Sequence, residues 1–217
     1  MDQVRSFLVL IPYWTLFWPF WFYFSFICRG CIENESIIKE LKNKGFIIAA
    51  NHVSYFDWIV LHIYFRVKHD IKITFFAKTK VLNHPFLGIL AKGGRCVAIE
   101  RNKIVNNDSN RQALSDSKHF IIFPEGTRSG DGTLLKGRRG VVKIAKKTGL
   151  PVIPAALIGF YELWPRDQWF PGIKRLRIVF GEPCCTEEYG SDVATIEDQT
   201  RCIMQKIAGL MGRVYEY

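Results

Sequence analysis

The 23 residues from 6 to 28 contain no charged side chain, and this segment constrains the fold more than any other. As one helix it would span about 35 Å, which is enough to cross a bilayer. However, Pro12 and Pro19 favour a bend or break, and ten aromatic residues lie between positions 13 and 26. Trp and Tyr rings prefer the headgroup boundary of a membrane. The segment therefore predicts a bent pair of helices dipped into one leaflet, with a spanning helix as the alternative.

Two other interpretations of this segment are less consistent with the residues. A signal peptide would have a shorter apolar run and a small-residue cleavage site, whereas this run ends in Phe26, Ile27, Cys28 and Arg29. A buried core helix would have to hide many aromatic rings inside a domain of modest size. We therefore expect residues 1–30 to form a membrane-associated helical segment and residues 31–217 to form the folded domain.

Composition narrows the class of protein and of partner. Hydrophobic residues make up 48% and charged residues 23% of the 217 residues, which excludes a disordered tail or a charge-rich coiled coil. The net charge of +10 favours a partner that carries phosphates, such as nucleic acid, anionic lipid or a phosphorylated substrate. Cys28 and Cys31 have a C-x2-C spacing, but Cys184 and Cys185 are adjacent and no His follows at zinc-finger spacing. We predict no metal site.

Apolar runs alternate with amphipathic ones along the rest of the chain. The predicted strands are 46–50, 71–77, 96–99, 119–123, 152–158 and 176–180. The predicted helices are 36–44, 56–65, 85–90, 110–117, 141–148 and 195–211. Strands that alternate with helices predict an α/β fold, with a largely parallel central sheet flanked by helices. In such sheets, active sites collect in the loops that leave the C-terminal ends of the strands.

The first predicted strand runs directly into His52 and Asp57, which are separated by four residues. Within one helix these side chains would point about 140° apart, so they can meet only if His52 precedes the helix. Ser54 offers that boundary, because Ser-x-x-Asp is a capping-box pattern. Asp57 could thus be a capping residue only. Alternatively, it could accept a hydrogen bond from one imidazole nitrogen and leave the other free to take a proton.

A second polar turn follows the strand predicted at 119–123. Pro124 and Gly126 are typical of an ordinary turn, in which a charge or two is common. The functional alternative is that Glu125 is a fixed acid, that Gly126 allows close approach to the backbone, and that Arg128 clamps a phosphate with two parallel hydrogen bonds.

Two further basic positions follow predicted elements. Arg101 comes after the strand at 96–99, and is either a solvated rim charge or a second phosphate ligand. Arg138 and Arg139 precede Gly140 at the start of a predicted helix, whose N-terminus attracts anions.

These pieces, in this order, resemble the glycerolipid acyltransferases typified by 1-acylglycerol-3-phosphate acyltransferase. The matching segments are 51–57, 94–101, 123–129 and 152–155, and Arg139 with Gly140 is similar to the family's basic-Gly element. The resemblance covers residues 46–158, and the aromatic N-terminus also resembles the family's membrane-associated helices. One departure is Ala98, which stands where an aromatic residue is common.

The resemblance implies a role for each matched residue. His52 would be the general base that deprotonates the acceptor hydroxyl, with Asp57 orienting it, and the oxygen would attack an acyl thioester directly. The acceptor site would comprise Arg101, Glu125, Gly126, Thr127 and Arg128, with Arg139 as additional positive charge. Backbone N–H groups near Gly126 are candidates to stabilise the oxyanion. The co-substrate would be acyl-CoA or acyl carrier protein, and no cofactor is implied.

Rival functions are less consistent with the sequence. A serine or cysteine hydrolase would need a nucleophile motif such as G-x-S-x-G, which is absent from the sequence. A non-enzymatic module for anionic membranes would use only the charge and the aromatic anchor. Nucleic-acid binding is disfavoured because the aromatic residues do not interleave with Lys and Arg, and the sequence has no Walker A pattern.

The sequence thus predicts an acyltransferase on the cytosolic face of a membrane, either a bacterial inner membrane or the endoplasmic reticulum. Its partner would be the phospholipid surface, and its leading acceptor lysophosphatidic acid. Lyso-ornithine lipid and lysophosphatidylglycerol are alternative acceptors, and a thioesterase is an alternative activity.

Overall fold

Seven short strands form one sheet in the computed structural model, which describes residues 18–78, 96–99, 112, 114–165, 168–184 and 195–217. The strands are β1 (Cys31–Glu33), β2 (Phe46–Ala50), β3 (Thr74–Lys78), β4 (Cys96–Ile99), β5 (His119–Ile122), β6 (Val152–Ile158) and β7 (Arg177–Phe180). Their order across the sheet is β1-β7-β6-β2-β5-β3-β4. Every neighbouring pair is parallel except β6 with β7, which is antiparallel. The predicted α/β fold with a largely parallel sheet is confirmed.

The central strands are short apolar runs because helices cover both faces of the sheet. All five residues of β2 are buried, as are the first six of β6, which is the pattern expected of a doubly covered parallel strand. The predictions for β2, β4 and β6 match the observed bounds. The three-residue edge strand β1 was not predicted, since a run that short carries no periodicity.

Helices pack in two layers against this sheet. They are α1 (Ser36–Leu41), α2 (Phe56–Ile63), α3 (Gly140–Thr148), α4 (Phe160–Leu163) and α5 (Ile196–Leu210). The layer formed by α1, α2 and α4 buries one core cluster, and α3 and α5 bury the other. Residues 114–116 are also helical, whereas the helix predicted at 85–90 lies outside the described residues. The short α4 was not predicted.

Helix ends follow local chemistry. The start of α5 has a capping box, in which the Thr195 side chain accepts from the backbone of Asp198 and the Asp198 carboxylate accepts from the backbone of Thr195. Gly149 ends α3 with a left-handed backbone (φ 69°) that a residue with a Cβ adopts only with strain. α2 continues without a break into a π-helical turn, Tyr64–Lys68.

The described part of the N-terminal segment is helical over 18–22 and π-helical over Tyr23–Ile27. One side packs on the domain: Phe24 is fully buried, and Phe20, Trp21 and Tyr23 pack against the same core. This is what the buried-helix alternative predicts for these rings. The opposite side leaves four large apolar side chains exposed, namely Trp18, Phe22, Phe26 and Ile27. Within the described ranges, no helix is both long enough and apolar enough to cross a bilayer.

Strand register places the candidate site. β2 and β5 are parallel neighbours, with Ala49 opposite Ile122. The chain therefore leaves both strands at the same edge of the sheet, so the turn that contains His52 and the turn that contains Glu125 are side by side.

Candidate active site

The turn after β2 is anchored before it reaches His52. Asn51 is buried, and its side-chain amide pairs with the backbone of Leu157: Oδ1 accepts from the Leu157 N–H at 2.7 Å, and Nδ2 donates to the Leu157 carbonyl at 3.1 Å. This side chain thereby extends the contact between β2 and β6 by one residue. His52 thus emerges from a fixed point of the sheet.

His52 and Asp57 are brought together as the functional alternative predicts. His52 Nδ1 lies 2.9 Å from Asp57 Oδ2. The same oxygen accepts from the backbone N–H groups of Val53 at 2.7 Å and Ser54 at 2.8 Å. Asp57 is fully buried, whereas the His52 side chain is 18% exposed. A carboxylate at Nδ1 favours the tautomer that carries its proton there, which leaves a lone pair on Nε2.

The capping prediction for Ser54 is half right. Asp57 does reach back to the Ser54 N–H, but α2 begins at Phe56, and the Ser54 hydroxyl accepts from the Phe56 N–H at 3.2 Å instead of from Asp57. The Ser54 hydroxyl also donates to the Trp164 carbonyl at 3.2 Å. Asp57 therefore closes the first turn of α2 and orients His52 with the same oxygen.

Glu125 holds the backbone of His52. Its Oε1 accepts from the His52 N–H at 2.7 Å and its Oε2 accepts from the Leu135 N–H at 2.9 Å, while the Ser129 N–H donates to the His52 carbonyl at 2.8 Å. Burial raises the pKa of Glu125 to about 7, although both backbone N–H groups lower it. Glu125 was predicted to bind the acceptor. In this structure both carboxylate oxygens accept from backbone N–H groups, so Glu125 supports the turn. Its contact with the acceptor stays a prediction.

Phe123 fixes the plane of the imidazole, a role that the sequence did not reveal. The His52 and Phe123 rings stack at 4.1 Å between centroids, with 17° between their planes. The available signal was the position of Phe123 at the end of β5, beside β2. Together, Asp57 and Phe123 restrict both the direction and the tilt of the His52 ring.

The backbone N–H groups near Gly126 stay candidates for stabilising the oxyanion, but the N–H of Gly126 itself is used within the turn. Gly126 adopts φ +68°, and its N–H donates to the Phe123 carbonyl at 3.0 Å within the turn. A Cβ at this position would lie 2.9 Å from the Arg138 side chain, so a larger residue would both strain the backbone and displace Arg138. Gly126 and Thr127 are both exposed at the rim of the site.

Arg128 places a cation beside this turn. Its guanidinium carbon lies 3.3 Å from the centroid of the Tyr55 ring. Its Nη1 atom is buried and has no hydrogen-bond partner within the described part of the chain. A buried donor without a partner is costly, so this atom is suited to an anionic ligand.

The two arginines before α3 have different positions. Arg138 packs over Gly126, and its Nε donates to the Glu125 carbonyl at 3.2 Å. Arg139, which was the one predicted to bind substrate, forms an ion pair with Glu197 on α5. The sequence next to Gly140 did not reveal which of the two arginines contacts the turn of Gly126. Arg101 lies outside the described residues, and its role stays a prediction.

Comparisons with known proteins bear on this site. A family model described as Acyltransferase matches residues 31–158. The chain is 31% identical to a 1-acyl-sn-glycerol-3-phosphate acyltransferase of Cocos nucifera over 70% of this chain and 49% of that protein. A protein of the same name from Pseudomonas aeruginosa is 29% identical over 70% of this chain and 59% of its own length. The chain spans about half the length of the first of these curated relatives.

A solved structure is similar over the whole chain. It is that of the 1-acyl-sn-glycerophosphate acyltransferase PlsC from Thermotoga maritima, with a TM-score of 0.67, 21% identity and coverage of 100% of both chains. At this identity the match supports the fold.

Proposed function

The chain belongs to the acyltransferase family, and on that premise we propose that it moves a fatty acyl group from a thioester to the free hydroxyl of a lysophospholipid. Lysophosphatidic acid is the leading acceptor, and phosphatidic acid is then the product. Relatives named 1-acyl-sn-glycerol-3-phosphate acyltransferase match more than half of this chain. The family model matches residues 31–158, which contain both polar turns. Other lyso-lipids, lyso-ornithine lipid and lysophosphatidylglycerol among them, are the alternatives.

The observation that carries this proposal is the His52 ring, which is held at one nitrogen and free of hydrogen bonds at the other within the described residues. In the proposed reaction, Nε2 takes the proton of the acceptor hydroxyl as its oxygen attacks the thioester carbonyl carbon. The new C–O bond forms, the C–S bond breaks, and the imidazolium returns the proton to the leaving thiolate. Asp57 stabilises the imidazolium while it exists. No acyl-enzyme forms.

The acceptor phosphate would bind at Arg128. The unpaired Nη1 atom of this residue and its position one residue before Ser129, which bonds the His52 carbonyl, support this assignment. Arg101 is the proposed second ligand on the strength of the resemblance. Arg138 packs on Gly126 and adds positive charge near the same turn. Arg139 is the proposed additional positive charge on the strength of the resemblance, and in this structure it forms an exposed ion pair with Glu197.

The donor would be acyl-CoA or acyl carrier protein, which are both anionic and therefore suited to a chain with a net charge of +10. We place the protein on the cytosolic face of a membrane, where both the donor and a lipid acceptor are accessible. The exposed side chains of Trp18, Phe22 and Phe26 recur at intervals of four residues, so they form one apolar stripe that supports contact with a phospholipid surface.

The decisive experiment measures thiol release by the purified chain in detergent micelles. Acyl-CoA and acyl carrier protein are each offered with lysophosphatidic acid, with a neutral lyso-lipid and with no acceptor, beside His52→Ala. We expect release that depends on lysophosphatidic acid and on His52, with loss on the order of 10²- to 10⁴-fold in the variant. Release without acceptor would indicate a thioesterase, and a trapped acyl-enzyme would overturn direct transfer. Full turnover by His52→Ala would refute the mechanism.

A further inference from the structure

The loop between α4 and β7 carries a second apolar surface that the acyl-transfer mechanism does not use. Trp169 is 89% exposed, Phe170 81% and Ile173 71%. Exposing three large apolar side chains within five residues is costly in water, and contiguous patches of this kind mark contact surfaces. Pro171 and Gly172 separate Phe170 from Ile173 in the sequence.

The base of this loop is held by specific hydrogen bonds, so the exposure of its outer end is built into the fold. Trp164 Nε1 donates to the Gln168 carbonyl at 3.0 Å, and the Gly172 N–H donates to the Leu163 carbonyl at 2.8 Å. Between these two anchor points, Trp169 and Phe170 extend into solvent.

The loop is continuous with the N-terminal helix. The Tyr23 hydroxyl donates to the Gly172 carbonyl. Further along, the Lys174 N–H bonds the Cys28 side chain, and the Leu176 N–H bonds the Cys28 carbonyl at 3.3 Å. The exposed rings of the loop and the exposed stripe of the N-terminal helix therefore belong to neighbouring segments that contact each other in three places.

Basic side chains border both segments. Lys174 and Arg175 follow the apolar residues of the loop, and Arg29 follows Phe26 and Ile27 at the end of the N-terminal helix; all three are exposed. Aromatic rings next to Lys and Arg fit the boundary between acyl chains and anionic headgroups. A protein partner would need a complementary acidic and apolar surface, whereas an anionic lipid surface supplies both features without a specific shape.

We propose that residues 168–175 form a second membrane-inserting element, with Trp169 and Phe170 in the acyl boundary and with Lys174 and Arg175 on anionic headgroups. This inference rests on the proposed action on a membrane lipid. The loop is also connected to the active site: the Trp164 carbonyl accepts from Ser54, two residues from His52, and the Trp164 ring lies 6.2 Å from that of Tyr55. Insertion of the loop would thus hold the His52 turn at the bilayer surface, where a lyso-lipid resides.

The test uses the fluorescence of Trp169 in the full chain. Vesicles of phosphatidylcholine and phosphatidylglycerol are prepared with and without nitroxide-labelled lipid, and emission is compared between the wild type and Trp169→Phe. Trp169→Phe keeps an apolar ring, so vesicle flotation should be unchanged. The difference in emission between the wild type and Trp169→Phe is the emission of Trp169, and we expect the nitroxide to quench it. If that emission is not quenched while the chain floats with the vesicles, the loop proposal is overturned and the acyltransferase proposal stands.

A second pair of variants tests the contribution to binding. Trp169→Ser/Phe170→Ser should lower partition into the same vesicles by roughly tenfold or more. Val214→Ser/Tyr217→Ser is the matched control, because these two side chains are also exposed and follow α5 in the opposite layer. Equal losses in both variants would overturn the proposal.

Two further outcomes separate the alternatives. In the first, the wild type is a dimer in the absence of vesicles and Trp169→Ser/Phe170→Ser is a monomer. That result would make the surface an interface between copies of the chain and would overturn the proposal. Transfer in detergent to a short-chain, water-soluble lysophosphatidic acid should be unchanged in this variant. If the wild type showed no transfer in that assay, the proposed function would be contradicted, and the loop proposal would still be decided by the vesicle experiments.

Discussion

Two histidine-carboxylate contacts of the same length occur in this structure, and they differ in what surrounds them. His52 lies 2.9 Å from Asp57, and His69 lies 2.9 Å from Glu35. The His69 nitrogen is also 2.9 Å from the Tyr64 hydroxyl, and the His69 side chain is only 6% exposed. At His52 the second ring nitrogen has no hydrogen-bond partner within the described residues, and the side chain is 18% exposed. A short contact with a carboxylate therefore does not by itself mark a general base; the role proposed for His52 also depends on access to its second nitrogen.

The two carboxylates also differ in their electrostatic surroundings. Burial raises the pKa of Glu35, but hydrogen bonds and charge from Lys68, with hydrogen bonds from Tyr64 and His69, outweigh burial and lower it overall. Burial lowers the pKa of His69 despite Glu35. Within the described residues, the hydrogen-bond partners of Asp57 are two backbone N–H groups and His52, with no Lys or Arg among them. The Glu35 cluster therefore balances its own charge, whereas Asp57 has the surroundings that the proposed mechanism requires of a counter-charge to His52.

The largest expected difference follows from removing each carboxylate charge. Asp57→Asn should reduce kcat by about 10²- to 10⁴-fold, because the imidazolium loses its counter-charge and the ring loses its preferred tautomer. It should also cost about 1–3 kcal/mol of unfolding free energy, since three hydrogen bonds to a charged oxygen become weaker. Glu35→Gln should cost similar stability and leave kcat within about threefold. Thiol-release kinetics and denaturant titration measure both quantities.

A result in which both variants lose activity in proportion to stability would break the distinction, because it would make Asp57 a structural residue like Glu35. Higher turnover in Asp57→Glu than in Asp57→Asn would strengthen the distinction between Asp57 and Glu35, because it would show that turnover needs a charged oxygen at this position.

A smaller effect is expected at the cation next to each pair. Arg128→Ala should raise KM for lysophosphatidic acid by about 10- to 100-fold, because charge-assisted hydrogen bonds to the phosphate are lost, with less effect on kcat. Lys68 lies 2.9 Å from Glu35 and is half-exposed. Lys68→Ala should leave KM unchanged and cost less than about 1 kcal/mol. Measuring KM for a neutral lyso-lipid controls for the phosphate.

An increase in KM for the neutral acceptor equal to that for lysophosphatidic acid would assign Arg128 to the shape of the site. In that case Arg128 would act by holding the Tyr55 ring, on which its guanidinium packs, in position.

Contacts between residues close in sequence were predictable where a single strand or turn determines their positions. The alternation of strands and helices gave the α/β fold, and the position of His52 before α2 gave its contact with Asp57. The stacking of Phe123 was not predictable, because it depends on β2 and β5 being neighbours in register. The separation of Arg138 from Arg139 was hidden for the same reason: it depends on where α5 places Glu197.

The N-terminal segment shows a different limit. Its composition indicates an apolar helix, but the division between core-facing and exposed rings depends on the surface against which it packs. Phe24 is 1% exposed and Phe26 is 68% exposed, although both are aromatic and two positions apart. A second exposed apolar surface at 168–175 was missed because a short loop carries no periodic signal.

A third carboxylate is expected to give a pH dependence of stability. Burial, together with the charge of Asp57, raises the pKa of Glu125 to about 7, whereas the pKa of Glu35 is lowered. A raised carboxyl pKa means that the folded state binds the proton more tightly, so this contribution is full below the ordinary value and is lost as pH rises to about 7. His62 and His119 act in the opposite direction, because burial lowers their pKa to about 4.

The pH dependence of the unfolding free energy of the wild type therefore combines opposing contributions. The difference in unfolding free energy between the wild type and Glu125→Gln isolates the contribution of Glu125. The amide cannot titrate, and it places a donor against one of the two backbone N–H groups, which gives a constant penalty. On top of that constant, the advantage of the wild type over the variant should shrink by at most about 3 kcal/mol between pH 5 and pH 8. Unfolding free energies at four pH values measure it. Parallel curves would mean that Glu125 is ionised throughout, which would make its environment resemble that of Glu35 after all.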